Sequence, residues 1–323
     1  MINLCGHSSH GYIFIRWIFV LKIFSKHQES ETTMNQQFKT VITSEHKLLD
    51  LHLRETFSYR DLIFLFVKRD FSTLYKQTIL GPLWAIIQPL FTTVVFTIIF
   101  GSLAGLTTAD TVGDFVLPGF LFYMSGNICW SYFSTTLHSV SNTFLSNRAT
   151  MGKVYYPRLV SPIATAISGL ISFGIQFAMF FVLWLYFVIR GGTSIRITPV
   201  LLLLPVTLVE MIILSVGCGI VVSSVTTKYR DLSLAVGFCL QLWQYASPIA
   251  YGLTMVSEKI PGLLWLYMLN PVTSIVTTIR YAVFGFGYFN LFYYLLGWVI
   301  SIVVFVIGLI LFSRIERTFM DTI

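Results

Sequence analysis

Four stretches, Leu80–Leu103, Ile163–Ile189, Pro199–Val225 and Leu291–Phe312, are apolar almost throughout. Each approaches or exceeds the roughly 20 residues that a helix needs to cross a bilayer core. A soluble helix of that length keeps a polar face, and these runs have none. Only 11% of the residues are charged, against about 25% in an ordinary soluble domain. The chain is expected to be an all-α integral membrane protein.

Two weaker stretches bring the expected number of transmembrane helices to six, at about 80–103, 115–137, 163–189, 199–225, 232–251 and 291–312. The second is interrupted by Ser125, Gly126, Asn127, Ser131 and Ser134, and the fifth contains Gln241, Gln244 and Ser247. Polar spans of this kind belong inside a bundle or beside a cavity rather than against lipid. Residues 260–290 read differently. Pro261-Gly262, Asn270-Pro271, Arg280, Gly285 and Gly287 divide them into two apolar pieces, each too short to cross, and Asn-Pro disfavours a continuous helix. Irregular backbone at membrane depth survives only when protein or a water-filled cavity surrounds it. A re-entrant helical hairpin before the last span is the expected form.

Ahead of the first span, residues 34–79 read as a cytoplasmic or interfacial amphipathic segment, helical over Lys47–Lys76. Tyr59, Leu62, Ile63, Phe66 and Val67 recur at helical spacing, with Arg60, Asp61, Lys68, Arg69 and Lys76 elsewhere on the wheel. That pattern suits a helix lying in the headgroup plane, which its placement just before a span favours over an ordinary soluble amphipathic helix. Residues 1–33 read as a non-native or disordered extension, with Met34 the expected natural start. Tyr12–Phe24 is apolar but short, and Arg16 and Lys22 interrupt it.

Charge placement orients this layout. With the N-terminus inside and six crossings, one side collects Lys39, Lys47, Arg54, Arg60, Lys68, Arg69 and Lys76, then Arg148, Lys153 and Arg158, then Lys228 and Arg230, then Arg314 and Arg317. The other side holds only Arg190, Arg196, Lys259 and Arg280. The positive-inside rule therefore places both termini in the cytoplasm. The net charge of +7 comes without a basic stripe interleaved with aromatics, so nucleic acid is not an expected partner.

Catalytic chemistry is missing from the pattern. No G-x-x-x-x-G-K-[ST] occurs, so ATP must be used by another chain. Cys5, Cys129, Cys218 and Cys239 are isolated, and Cys5, His7 and His10 are too few for a metal site. Asp110, Asp114 and Glu258 belong to no motif. Glu210 is the one carboxylate deep in a span. It is either a functional group or a structural one, neutral or ion-paired, with Arg280 the candidate partner.

Four ordered groups of residues carry a family resemblance. The first runs from Tyr59-Arg60-Asp61-Leu62 through Lys68-Arg69-Asp70, Tyr75-Lys76-Gln77-Thr78 and Leu80-Gly81-Pro82-Leu83-Trp84-Ala85 to Gln88-Pro89-Leu90. Lys153-Val154-Tyr155-Tyr156-Pro157-Arg158 is the second. The third is Tyr229-Arg230-Asp231 with Ser247-Pro248-Ile249 and Asn270-Pro271. The fourth is Phe312-Ser313-Arg314-Ile315-Glu316-Arg317 with Asp321-Thr322-Ile323. Over about 36–323 the chain resembles the membrane subunit of ABC-2 type polysaccharide exporters, which move lipid-linked O antigens, capsules and teichoic acids. Leu74 departs from that pattern, which often has a basic residue there.

The resemblance implies an ABC-2 type transmembrane domain over 80–323 in a bacterial plasma (inner) membrane. It implies a homodimer driven by two copies of a separate ATPase, with ATP and Mg2+ held by that partner and no cofactor in this chain. The cargo it implies is lipid-linked polysaccharide, taken from the cytoplasm to the outer side. Phe144, Arg148, Lys153, Tyr156, Pro157 and Arg158, with Tyr229, Arg230 and Asp231, would couple to the ATPase; the alternative is a plain basic loop. Tyr59, Arg60, Lys68, Arg69, Asp70, Tyr75 and Lys76 would form the interface helix. Pro261, Asn270, Pro271 and Arg280 would form an outer gate, and Arg314, Glu316 and Asp321 a C-terminal motif. Phe120, Tyr123, Asn127 and Trp130 share one face of the second span; they would line a sugar channel or pack against neighbouring helices. The competing readings are an ABC-2 exporter of drugs or haem, a membrane-embedded glycosyl- or acyltransferase, and a secondary transporter.

Overall fold

In the computed structural model the residues described are 53–76, 78–105, 118–143, 146–147, 153, 156–190, 198–226, 231–285 and 287–319. They fall within one unit, Leu48–Ile323. The expected 1–33 extension and the start at Met34 lie outside them. The described residues are helical, without a strand: α1 (Leu53–Ser58), α2 (Arg60–Tyr75), α3 (Trp84–Phe96), α4 (Gly119–Ser141), α5 (Val160–Ile189), α6 (Leu204–Thr226), α7 (Leu232–Tyr245), α8 (Leu253–Lys259), α9 (Leu264–Leu269), α10 (Pro271–Phe284) and α11 (Leu291–Phe319).

Among the described residues four continuous helices are long and apolar enough to cross a membrane: Gly81–Leu103, Val160–Ile189, Pro199–Thr226 and Leu291–Ser313. They match the four long runs of the sequence. A fifth candidate is the pair Pro261–Leu269 and Pro271–Phe284, bent by 98° between its halves. Among the described residues, four of the six expected crossings are met by length and composition, and the bent pair falls on the expected hairpin. α7, expected as the fifth span, has only 14 residues, or about 21 Å of helix against a hydrocarbon core of about 30 Å. α4 has the length but not the hydropathy, and its packing explains why.

α4 is buried continuously from Leu121 to Trp130, so it runs through the protein interior with no lipid-facing side there. α3, α5, α6, α7 and α10 surround it. Its small polar residues can be carried at this depth because they bond locally: Ser125 Oγ donates to the Phe122 carbonyl at 2.8 Å and Ser141 Oγ to that of His138 at 2.7 Å. A long helix need not be apolar when protein surrounds it.

α6 and α11 form the closest helix pair. A Cβ on Gly217 would stand 2.8 Å from Phe305 Cα, and one on Gly308 would stand 2.9 Å from the Gly217 carbonyl oxygen. Small residues at a crossing let two backbones meet, which replaces the hydrophobic driving force that lipid removes. Val216, Ile220, Leu309 and Phe312 fill the seam below them.

α2 packs differently from expectation. Ile63, Phe66 and Val67 are buried against Tyr156, Val160 and Ala164 at the start of α5, with Tyr59 and Leu62 beside them. The apolar stripe expected to lie among headgroups is thus committed to an intramolecular contact. The large apolar residues left exposed on α1 and α2 are Phe57, Phe64, Leu65 and Leu74. Helical spacing identified the stripe but not what would cover it.

Gly217→Val is expected to force α6 and α11 apart and cost about 1–3 kcal/mol. It should lower the unfolding temperature of the detergent-solubilised protein. Gly174→Val, where a Cβ meets nothing within 4 Å, should leave that temperature unchanged.

Candidate functional site

The break at Asn270 is written locally. Asn270 precedes Pro271, which occupies the first turn of α10, where its missing N–H costs no helical hydrogen bond. The Asn270 side chain caps α10 by accepting from the Val272 N–H at 3.1 Å. The same Oδ1 accepts from Trp243 Nε1 at 3.1 Å, and Nδ2 donates to Ser247 Oγ at 2.9 Å. One side chain therefore ends α9, starts α10 and ties the bend to the C-terminal end of α7.

Arg280 lies further along α10 and is 6% exposed. Nη1 donates to the Pro248 carbonyl at 2.6 Å, and Nη2 donates to the carbonyls of Ile249 at 2.8 Å and Phe122 at 3.2 Å. Nε donates to Ser125 Oγ at 3.3 Å, and the guanidinium carbon sits 3.6 Å from the centre of the Phe122 ring. Pro248 and Ile249 follow the end of α7, where carbonyls lack intrahelical donors and the helix dipole is negative. The planar fork of an arginine reaches all of these acceptors at once, which a lysine cannot do. Gly126 makes room for it: a Cβ there would stand 2.6 Å from Nη2. Three elements, α4, α7 and α10, meet at this one cation.

Arg280 and Asn270, two of the expected outer-gate residues, are thus brought together with α7. Pro271 is buried behind them and Pro261 is exposed on the short turn before α9. The expected partnership with Glu210 does not form. Glu210 is fully buried on α6 and neither carboxyl oxygen has a hydrogen-bond partner; it lies instead toward Gly297 of α11 and Ser274 of α10.

The face expected to line a channel is packed inside the protomer. Tyr123, Asn127 and Trp130 are buried and Phe120 is half-buried. Trp130 meets Phe133 and Trp243 at ring separations of 5.4 and 6.4 Å, and Asn127 Nδ2 reaches Thr93 Oγ1 at 3.4 Å. Spacing alone could not separate a channel face from a core face on a helix buried all round.

An open cavity of about 780 Å3 lies further along α4 instead, between α2, the start of α3, the C-terminal half of α4, and α5. Ser131, Thr135, His138, Asn142 and Ser146 of α4 and its continuation face Thr165 and Ser172 of α5 across it. Sequence reasoning missed this site. Its signal is a run of small polar residues three to four apart, beginning where the aromatic face ends.

At the cavity edge Arg69 bonds Asp70 at 2.8 Å and lies 4.4 Å from the centre of the Phe66 ring. Leu74 is exposed there, while Arg60, Lys68 and Lys76 point outward. Tyr75 ends α2. Among the expected coupling residues, Tyr156 is buried, with its hydroxyl 3.3 Å from Ser161 Oγ and its ring edge-on to Phe66. Pro157 is buried beside it, Arg158 is half-buried and Lys153 is exposed. Asp231 caps α7 by accepting the Leu232 N–H at 3.0 Å. Phe144, Arg148, Tyr229, Arg230 and Asp321 lie outside the described residues, as do Cys5, His7 and His10. Arg314 and Glu316 fall on the last turns of α11.

Residues 61–284 match the family described as ABC-2 type transporter. The O-antigen export system permease protein RfbA of Klebsiella pneumoniae is 24% identical over 262 residues, covering 81% of this chain and 94% of its own. The protein of the same name from Myxococcus xanthus is 25% identical over 227 residues, covering 70% and 81%. The polysialic acid transport protein KpsM of Escherichia coli is 28% identical over 216 residues, covering 67% and 78%.

Two outcomes follow from the packing. Gly126→Ala should push the guanidinium off the Phe122 and Ile249 carbonyls and destabilise the fold by about 1.5–3 kcal/mol, the worth of a charged hydrogen bond; thermal unfolding in detergent measures it. Tyr123→Ala combined with Trp130→Ala should reduce the yield of folded protein in the membrane. Each truncation empties a buried site at a cost of about 3–5 kcal/mol, and a normal yield would show that neither side chain is core.

Proposed function

The chain belongs to the ABC-2 type transporter family, and from that premise we propose that it is the membrane-spanning permease of an ATP-driven exporter of lipid-linked polysaccharide. The relatives named for O-antigen export and polysialic acid transport support this cargo class. The observation that carries the reading is the hairpin α9–α10, broken by 98° and closed by the buried Arg280 onto carbonyls of α4 and of the turn after α7. A permease needs a seal that opens without dissolving the bundle. Here the seal consists of hydrogen bonds to turn and helix-end carbonyls, which rearrange more readily than an interdigitated apolar core.

In this reading two copies of the chain pair in a bacterial inner membrane, each docked on one ATPase. The coupling contacts come from the segments 144–158 and 229–231, which flank α5 and α7. Asp231, as the N-cap of α7, lies at one end of a short helix whose other end holds the hairpin through Ser247, Pro248 and Ile249. Movement of the 229–231 segment is thereby passed to the hairpin by α7 as a stiff strut about 21 Å long. The exposed Phe57, Phe64 and Leu65 put the remaining apolar side of α1 and α2 against lipid at the cytoplasmic surface. Both termini are cytoplasmic.

Deleting the gene in its host should remove surface polysaccharide and leave lipid-linked glycan in the cytoplasm. Restoring the chain with green fluorescent protein fused after Ile323 should restore export and fluoresce. Alkaline phosphatase fused at the same point should be inactive. Unchanged surface polysaccharide in the deletion strain would overturn the cargo, and an active phosphatase fusion the orientation.

A further inference from the structure

Glu210 is required neither by the Arg280 seal nor by the packing of its own helix. It stands in the first half of α6, is 0% exposed, and has no hydrogen-bond partner for either carboxyl oxygen in the protomer. A hydroxyl beside it is in the same condition: Ser274 of α10 is 5% exposed and its Oγ is also unpaired. Both aim at one place. A Cβ built on Gly297 of α11 would stand 2.8 Å from Ser274 Oγ and 2.9 Å from Glu210 Oε1. Three helices, α6, α10 and α11, thus converge on one carboxyl and one hydroxyl, and glycine at 297 leaves the room that both need. Buried polar atoms without partners are costly, so a pair of this kind calls for a physical reason.

The groups on the surrounding helices narrow the form the carboxyl takes. Glu210 is the one charged residue of α6, which otherwise carries only the thiol of Cys218, two turns on. On α11 the titratable group at this level is Tyr294, whose hydroxyl lies 3.4 Å from Thr207 Oγ1, one turn before Glu210. On α10, Arg280 donates to the carbonyls of Pro248, Ile249 and Phe122, and Tyr281 stacks on Phe289 with ring centres 5.3 Å apart. On α4, Tyr132 donates to the Ala166 carbonyl, Cys129 is a buried thiol and His138 lines the open cavity. Tyr186 of α5 and Tyr245 and Cys239 of α7 are exposed. None of these groups bonds Glu210. A carboxylate enclosed without a counter-charge is far costlier than the neutral acid, so such a group takes up a proton instead. With that proton the carboxyl donates as well as accepts, as the Ser274 hydroxyl does.

We infer that Glu210 is a proton-binding site at which α10 is seated against α6 and α11. While the hairpin is closed, the carboxyl keeps its proton. When α10 withdraws, its wall of the site leaves with it and water reaches the carboxyl. The O–H bond then breaks, the proton passes to that water and a carboxylate remains, as for any hydrated glutamate at neutral pH. Closing the hairpin takes one proton up again. The hairpin therefore has two fastenings of different chemistry. Arg280 holds it to α4 and the turn after α7, and a guanidinium stays charged at every working pH. Glu210 holds it to α6 and α11, and because the closed state binds one more proton than the open one, this fastening weakens as pH rises. The inference rests on the hairpin being the moving seal, as proposed above, and it adds the ligand and the residue that binds it.

The test uses the full chain purified in detergent. At neutral pH its infrared spectrum should contain the C=O band of a protonated carboxyl, shifted on transfer to D2O. Glu210→Gln should accumulate normally and lack that band. Ser274→Ala should keep the band at a different frequency, because the neighbouring hydroxyl is gone. Opening is read by maleimide labelling of Thr278→Cys, buried on α10 one turn beyond Ser274, in a chain whose exposed Cys239 is replaced by serine. Labelling is divided by that of the same chain carrying Glu210→Gln, which cancels the thiol's own ionisation. This ratio should rise by as much as about tenfold per pH unit, the linkage of one proton. A spectrum without the acid band, a Glu210→Gln chain that fails to accumulate, or an unfolding temperature that depends on sodium would show a carboxylate in the site and overturn the inference. A labelling ratio indifferent to pH would overturn the coupling to the hairpin. None of these measurements involves polysaccharide, so unchanged surface polysaccharide in the deletion strain overturns the cargo alone, and the two failures are distinct.

Discussion

A guanidinium buried in a membrane-spanning protein has to be surrounded by acceptors, because neither lipid nor apolar side chains can solvate it. Arg280 meets that demand with backbone carbonyls at 2.6–3.2 Å, contributed by the turn after α7 and by α4. This requirement shapes its surroundings. α7 must stop early enough to leave carbonyls free, α4 must carry glycine at 126 so that the guanidinium can approach, and α10 must arrive at a steep angle to deliver the side chain. The bend at Asn270 supplies that angle, and the second set of hydrogen bonds, Trp243 to Asn270 to Ser247, holds the bend to the same helix end. The polar residues Ser247, Asn270 and Arg280 thus belong to one connected set of hydrogen bonds and the turn it holds.

Around this node the protein divides its labour. α6 and α11 meet backbone to backbone at Gly217 and Gly308 and form the rigid side. α4 is enclosed over its first half, where aromatic rings pack in contact, and open over its second half, where small polar groups face those of α5 across a cavity. Tight packing transmits displacement, and an open cavity accommodates variable contents. One helix thus has its closed end against the hairpin and its open end against the cavity.

How much of this was legible in the residues depends on the range of the physics involved. The four long spans follow from length against bilayer thickness, and their boundaries agree with the structure to within a few residues. The break at Asn270-Pro271 was legible because a proline at the first turn and an asparagine cap act within two residues of each other. The stripe Tyr59, Leu62, Ile63, Phe66 and Val67 was correctly grouped, yet it covers α5 rather than lipid, since an amphipathic period does not specify the covering surface. The aromatic face of α4 was likewise a real alignment, and its side chains are packed inside the protomer because α4 is enclosed over its first half. The Ser131-to-Ser146 ladder went unread for the opposite reason: single small hydroxyls carry little hydropathy signal until a second helix presents a matching row.

The sequence by itself determined that this is a multi-pass helical membrane protein, where its main helices run, where the hairpin breaks and to which family the pattern is similar. Those properties come from composition over about 20 residues and from caps and prolines acting over one turn. Tertiary structure alone decided that Arg280 binds carbonyls rather than Glu210, that Tyr123 and Trp130 are core, and that Glu210 and Ser274 converge beside Gly297. Each of these depends on the register and rotation of helices far apart in the chain, and a one-dimensional period leaves both undetermined.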